Sequence, residues 1–131
     1  MTDSPTKQVE SVLGFFNDAV SKYNAMCELK TWCEDKTQDI LHELELVQHT
    51  HNERGRLAKE LAEVRRKRRD AKDTIEVLDP LIQWVGNHKK EMDALTKVLG
   101  EMRRADNRRE NRLYYKRAEG NHEIIGGGEA R

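Results

Sequence analysis

Proline occurs twice in the 131 residues, cysteine twice, and Phe, Trp and Tyr together make up 5%. So few aromatic and turn-forming residues exclude a compact sheet domain, which needs β-branched and aromatic strands broken by frequent turns. Cys27 and Cys33 are too few and wrongly spaced for a disulfide framework or a zinc site. No run of 18 apolar residues exists, which excludes a membrane-spanning helix. The segment Met1-Thr2-Asp3-Ser4-Pro5 has neither the basic nor the apolar region of a signal peptide, so the expected location is the cytoplasm. Glycine is also scarce until the end, with four of the eight in the last twelve residues. What is abundant is charge. Charged residues are 37% of the chain and the AVILMFWYC set is 36%. Those counts suit an all-α protein of long helices with narrow apolar seams, and the length suits one domain.

The net charge is zero, yet its distribution is uneven. Residues 1–53 carry a net charge of −6, residues 54–117 of +8 and the last fourteen of −2. Halves of opposite sign either lie against each other within one molecule or leave the basic half for an anionic partner. Internal neutralisation is the simpler expectation for most of this charge.

A first helix opens at Ser4-Pro5, a capping residue followed by proline at the first helical position. Apolar residues then recur at Val9, Leu13, Phe16, Val20, Tyr23 and Cys27, and after a polar gap at Ile40, Leu44 and Val47. Alternating steps of three and four mark a coiled-coil-like seam, predicting a helix from about residue 5 to about 49. Within the gap, Lys30 and Thr37 occupy seam positions with Cys33 between them. His49 to Gly55 reads as a turn short enough for a helical hairpin. A second seam runs Leu57, Leu61, Val64, Arg68, Ala71, Ile75, Leu78, Ile82, Val85, Lys89, Met92, Leu95, Leu99 and Met102, predicting a helix from about 56 to 117. Proline deletes a backbone donor and clashes with the carbonyl four residues back, so a kink is expected near Pro80. Asp79 is alternatively a cap for a fresh helix, and a reversal there gives a three-helix bundle. Residues 118–131 read as a flexible glycine-rich tail.

Folded as an antiparallel hairpin, positions whose numbers total about 104 face each other. Leu44 then meets Leu61, Tyr23 meets Leu81 or Ile82, and Val9 meets Leu95. The polar gap of the first helix falls opposite Arg68, the one arginine on the second seam, with Glu34 as its prospective partner. The segment beyond about residue 100 is left without an opposing arm. Surplus apolar residues at Val12, Leu13 and Phe16, and at Leu78, Leu81, Ile82 and Val85, predict self-association, most simply a four-helix arrangement of two copies.

Two basic segments are candidate binding surfaces. In the run Arg65-Arg66-Lys67-Arg68-Arg69 the side chains fan around the helix, so Arg65, Arg66 and Arg69 form only part of any contact, and nearby acids suit helix-surface pairing. The plainer reading is a solvated face matched to the acidic first helix; the other is a patch for nucleic acid or an acidic partner. Arg104, Arg108, Arg112 and Lys116 stand at four-residue intervals along one ridge, flanked by Arg103 and Arg109. Tyr114 and Tyr115 add faces able to stack on bases or guanidinium groups. A solvated helix end and a phosphate-binding ridge fit this segment equally.

Catalytic chemistry finds little support. The five histidines form no metal-site pattern, and His49-Thr50-His51 reads as solvent-exposed turn. Cys27 and Cys33 have acidic neighbours and read as buried small hydrophobes. Trp32 and Trp84 lie off the strict seam, as core padding or as interface anchors, padding being the simpler assignment. Gly126-Gly127-Gly128 neither follows a strand nor opens a helix, so it is no phosphate loop. The expectation is a non-enzymatic protein without cofactor, metal or small-molecule substrate.

The block from Glu53-Arg54-Gly55-Arg56-Leu57-Ala58 through Leu78-Asp79-Pro80-Leu81, with Leu95-Thr96-Lys97-Val98-Leu99 and Arg108-Arg109-Glu110-Asn111-Arg112, resembles small helical proteins of Firmicutes phages and prophages. The resemblance covers roughly the second half of the chain. It implies an accessory protein acting inside a bacterial host, and the leading expectation is a non-enzymatic interaction protein that presents its arginine-rich segment, residues 103–117, to a protein partner. Two alternatives accompany that reading. One is a nucleic-acid-binding accessory factor using residues 103–117; the other is an inhibitor of a host defence nucleoprotein complex, with the acidic first helix mimicking nucleic acid.

Overall fold

The computed structural model describes residues 4–112. The protein is all-α, with helices α1 (Pro5–Leu46), α2 (His51–Asn87) and α3 (Lys89–Glu110). No strand occurs among the described residues, and none of their helices is long and apolar enough to cross a membrane. The expected tail, like Tyr114, Tyr115 and Lys116, lies outside the described residues.

Helix α1 begins as its sequence dictates. The Ser4 hydroxyl accepts from the Lys7 N–H at 3.2 Å and the Ser4 carbonyl from the Gln8 N–H at 3.0 Å, with Pro5 in the first position, where it has no donor to waste. The following turn is shorter than the composition suggests. Thr50 caps α2, its hydroxyl accepting from the Glu53 N–H at 3.2 Å while the Glu53 carboxylate accepts from the Thr50 N–H at 2.8 Å. This reciprocal box starts the helix at His51 rather than about 56, and Gly55 becomes an interior helical residue. The Thr50 N–H also holds the Glu53 carboxyl below its ordinary value of 4.5. His49 is not the exposed turn residue expected. Its side chain is largely buried, with Nε2 3.5 Å from Glu43 and Nδ1 3.8 Å from Glu53.

The described residues divide into two compact units, Val12–Lys89 and a smaller one formed by residues 4–11 with 90–112. In the larger unit α1 and α2 run antiparallel, and the seams meet. Cys33 (0% exposed), Ile40 (2%) and Val64 form a buried cluster, packed round by Leu29, Leu44, Leu57 and Leu61. The polar gap of the first seam is thus its most buried stretch. Thr37 joins it because its hydroxyl donates to the Cys33 carbonyl at 2.8 Å, which satisfies the buried polar atom within its own helix. Ala71 and Ala19 are buried farther along.

Pro80 does not end or reverse the chain: α2 passes through it to Asn87. Asp79 is not a cap, since its carboxylate accepts from the Tyr23 hydroxyl at 3.3 Å and from the Gln83 amide at 2.9 Å. The first bond ties this stretch of α2 to α1, and the second lies within α2. Burial, followed by the nearby Asp79 charge, raises the Tyr23 pKa. The interruption comes instead at His88, whose N–H is shared between the Trp84 and Val85 carbonyls at 3.0 and 3.2 Å. Gly86-Asn87 just before it are poor helix formers, and the last turn tightens as helix ends commonly do.

In the smaller unit, α3 lies against the first turns of α1. Thr6 donates to Asp106 at 2.6 Å, Arg103 pairs with Glu10, and Leu99 is buried. Residue 10 therefore meets residue 103, and the expected pairing of Val9 with Leu95 gives way to a register shifted by about two turns. As a separate helix after His88, α3 takes the register that its own polar side chains select. Helix α3 also stops short of residue 117, ending at Glu110. The Asn111 side chain donates to the Asn107 carbonyl at 2.9 Å and to its side-chain oxygen at 3.0 Å. Asparagine favours such local bonds over helix continuation.

Candidate functional site

Of the five consecutive cations at 65–69, one reaches across to α1. Arg68 Nε donates to Glu34 at 3.0 Å, and Lys30 reaches the same oxygen at 3.0 Å. Those hydrogen bonds, that of Lys30 first, hold the Glu34 carboxyl below its ordinary value. The pairing foreseen from the opposed seam defects is therefore present. A second cross-helix bridge joins Lys36 to Glu60 at 3.2 Å, and Lys72 pairs with Glu76 on its own helix. Arg65, Arg66 and Arg69 stand exposed and make no ion pair among the described residues. Internal neutralisation by the acidic first helix is thus confined to a few positions.

Those three arginines, with Arg68 and Lys72, line a groove of about 510 Å³ between α1 and α2, and Gln38 and Thr37 form its α1 wall. Glu34 and Asp73 are its acidic members. No aromatic side chain lines it.

The second basic segment is only partly the free ridge that its spacing suggested. Arg103 is committed to Glu10, so part of the segment past residue 100 does have an opposing arm. Arg104, Arg108 and Arg109 are exposed on α3. Arg112 falls beyond the helix end and is itself engaged in an interaction. A four-residue ridge therefore holds within α3 for Arg104 and Arg108.

An aromatic stack is the feature that sequence reasoning missed. Phe15 and Phe16 meet edge to face at 5.6 Å, Phe16 stacks on Trp84 at 5.8 Å, and Trp84 stacks on His88 at 4.2 Å. The His88 ring nitrogen Nδ1 lies 2.8 Å from the Trp84 carbonyl, which orients the imidazole. Much of this stack faces solvent, with Phe15 59% and Trp84 44% exposed, and Val12 is half exposed beside it in sequence. Trp84 is thus not core padding, and nor is Trp32, which is half exposed. The signal was available: Trp84 and His88 are four apart on one helix, and the expected hairpin register places Phe16 opposite His88, one turn from Trp84. Cys33 is the buried small hydrophobe expected, and Cys27 is half buried.

Among the described residues, no group of three or more His, Cys, Asp or Glu side chains gathers as metal ligands. No protein-family model matches the chain, and comparisons with curated proteins and with solved structures give no match. The described residues offer two candidate surfaces, one aromatic and one basic.

Proposed function

We propose that this chain is a non-enzymatic helical interaction protein that binds a protein partner through the aromatic stack on α1 and α2. The observation that carries the reading is the exposure of Phe15 and Trp84 within a connected run of rings. Exposed aromatic side chains, tryptophan above all, are the residues from which binding hot spots are built. Phe16 and His88 both stack on Trp84, so docking freezes few rotamers. Burying a large apolar side chain stabilises by about 1.5–3 kcal/mol, so covering the exposed parts of Phe15 and Trp84 contributes on the order of 2–3 kcal/mol. The resemblance of the second half to phage accessory proteins supplies the setting, the cytoplasm of a bacterial host. A second copy of the chain is one partner able to cover the same stack.

The test is a photoreactive amino acid placed at position 15 and, as a control, at the exposed position of Glu45, followed by irradiation in the producing bacterium. Position 15 is expected to give a discrete crosslinked protein that Trp84→Ala removes at unchanged helix content. The crosslinked mass identifies self-association or a foreign partner. Identical products from both positions, or none from position 15, would overturn the reading.

A further inference from the structure

We infer that the groove formed by Arg65, Arg66, Arg69 and Lys72 of α2 against Gln38 of α1 binds the phosphodiester backbone of nucleic acid without reading its sequence. The inference uses residues separate from the aromatic stack, so the two readings stand or fall independently.

Among the described residues, Arg65, Arg66 and Arg69 lack carboxylate partners. Glu34, the α1 carboxylate that faces the run, is already shared by Lys30 and Arg68. Lys72 is held by Glu76, weakly at 3.8 Å. Arg65, Arg66 and Arg69 remain with their guanidinium groups exposed on the groove. The lining carries five cations against Glu34 and Asp73, a net charge of +3. Asp73 stands at one end and limits how far an anion chain extends past Lys72. Arg65 and Arg69 are one helical turn apart, about 6 Å along the axis, and the planar fork of each suits bidentate contact with a phosphate. Gln38 adds an exposed amide donor on the other wall, whereas the Thr37 hydroxyl is already used by the Cys33 carbonyl.

The lining also argues for a phosphate chain over an acidic protein. A protein contact of useful affinity needs a desolvated aromatic or aliphatic anchor, and the only apolar side chain in this groove is Ala62. Phosphate contacts need only cations and polar donors. The absence of aromatic lining excludes base stacking here, so neither single-stranded preference nor sequence readout is expected. Three arginine–phosphate contacts predict a salt slope of about −2.7 on a duplex, which is about 40-fold weaker binding between 50 and 200 mM salt.

Fluorescence anisotropy on the full chain tests this with labelled DNA duplexes of two unrelated sequences, an RNA duplex and polyglutamate as competitor, across that salt range. Equal affinity for the two sequences and the stated slope are expected, with the RNA arm showing whether helix form matters. Removing each of the three arginines should reduce the slope by about 1, so Arg65→Gln, Arg66→Gln and Arg69→Gln together should abolish salt-sensitive binding. These residues are exposed and make no ion pair among the described residues, and circular dichroism should show unchanged helicity. The corresponding lysine variants keep the charge and should preserve most of the slope. Arg104→Gln, Arg108→Gln and Arg109→Gln together should leave it intact. Wild-type binding by the first triple variant, an equal loss in the α3 variant, or displacement by polyglutamate as readily as by unlabelled duplex would each overturn the inference. The last result would mark an acidic protein as the partner.

Discussion

Ile40→Ala is the most direct test of the packing on which both surfaces depend. Ile40 is 2% exposed and lies in the cluster with Cys33 and Val64. The substitution removes three carbons, worth about 2.4 kcal/mol at roughly 0.8 kcal/mol each, and leaves a cavity that raises the cost. Alanine is the better helix former and returns about 0.4 kcal/mol. Two helices can close on a gap more readily than a multilayer core, so the net expectation is about 2–3 kcal/mol. For a unit of this size that is a fall in Tm of about 8 °C or more. Leu46→Ala is the matched control, because Leu46 is 76% exposed at the end of α1 and its truncation should stay within about 0.5 kcal/mol. Urea unfolding followed by circular dichroism gives both values, read as a shift in midpoint at constant m. If the two variants were equally stable, the seam would not be the core, and the reasoning from burial would fail.

Three further outcomes are expected. Thr50→Ala removes the hydroxyl that accepts from the Glu53 N–H and should lower stability by about 0.5–2 kcal/mol, measured by thermal melting; no change would show that the box does not fix the start of α2. Glu34 and Glu53 both have folded pKa values below 4.5, so the unfolded chain takes up protons first as the pH falls. Their stabilisation is fully present above 4.5 and is lost as the pH drops through the lowered folded values. Urea midpoints should therefore decline in acid, and Glu34→Gln should make that decline shallower; an unchanged acid limb would remove Glu34 from the account. Pro80→Ala restores a backbone donor inside α2 and should stabilise by about 1–3 kcal/mol, seen as a raised urea midpoint. An unchanged midpoint would mean that the helix has already absorbed the proline without cost.

Much of this architecture was legible in the sequence because a seam is a periodic object. Of the buried positions, Leu13, Cys33, Thr37, Ile40, Val64, Ala71 and Leu99 fall on the two predicted stripes and Ala19 lies beside one, and the Glu34–Arg68 pair follows from opposing one defect to another. Local chemistry was read less well. Thr50 and Glu53 spell a capping box, yet the neighbouring asparagine and glycine suggested a longer turn. Pro80 drew the expected interruption to itself, although Gly86-Asn87, where two weak helix formers are adjacent, is where the chain gives way. The register of α3 was beyond periodicity altogether, because a hydrophobic repeat fits several registers and polar pairs such as Glu10–Arg103 choose among them. The aromatic stack fell between the two kinds of signal. It needs the register and the i, i+4 spacing read together, whereas distance from the strict seam alone leaves Trp84 as padding or anchor.

The placement of the arginines has a reason that does not depend on this particular partner helix. Successive residues on an α-helix are turned by about 100°, so five consecutive side chains spread around the whole circumference. A single antiparallel neighbour covers a stripe little more than 100° wide. Of residues 65–69, only Arg68 lies on the seam, and it alone reaches a carboxylate across the interface. Glu28, Asp35 and Asp39 of α1 are exposed and make no ion pair among the described residues. Balanced totals therefore conceal a basic run of which one residue is neutralised across the interface. Folding alone gives no reason to gather Arg65, Arg66 and Arg69 there, since scattered lysines would solubilise α2 as well and repel one another less. Their concentration on one groove is accounted for by an anion of fixed spacing laid along it, which is why the salt slope of the triple glutamine variant decides more than any measurement of stability.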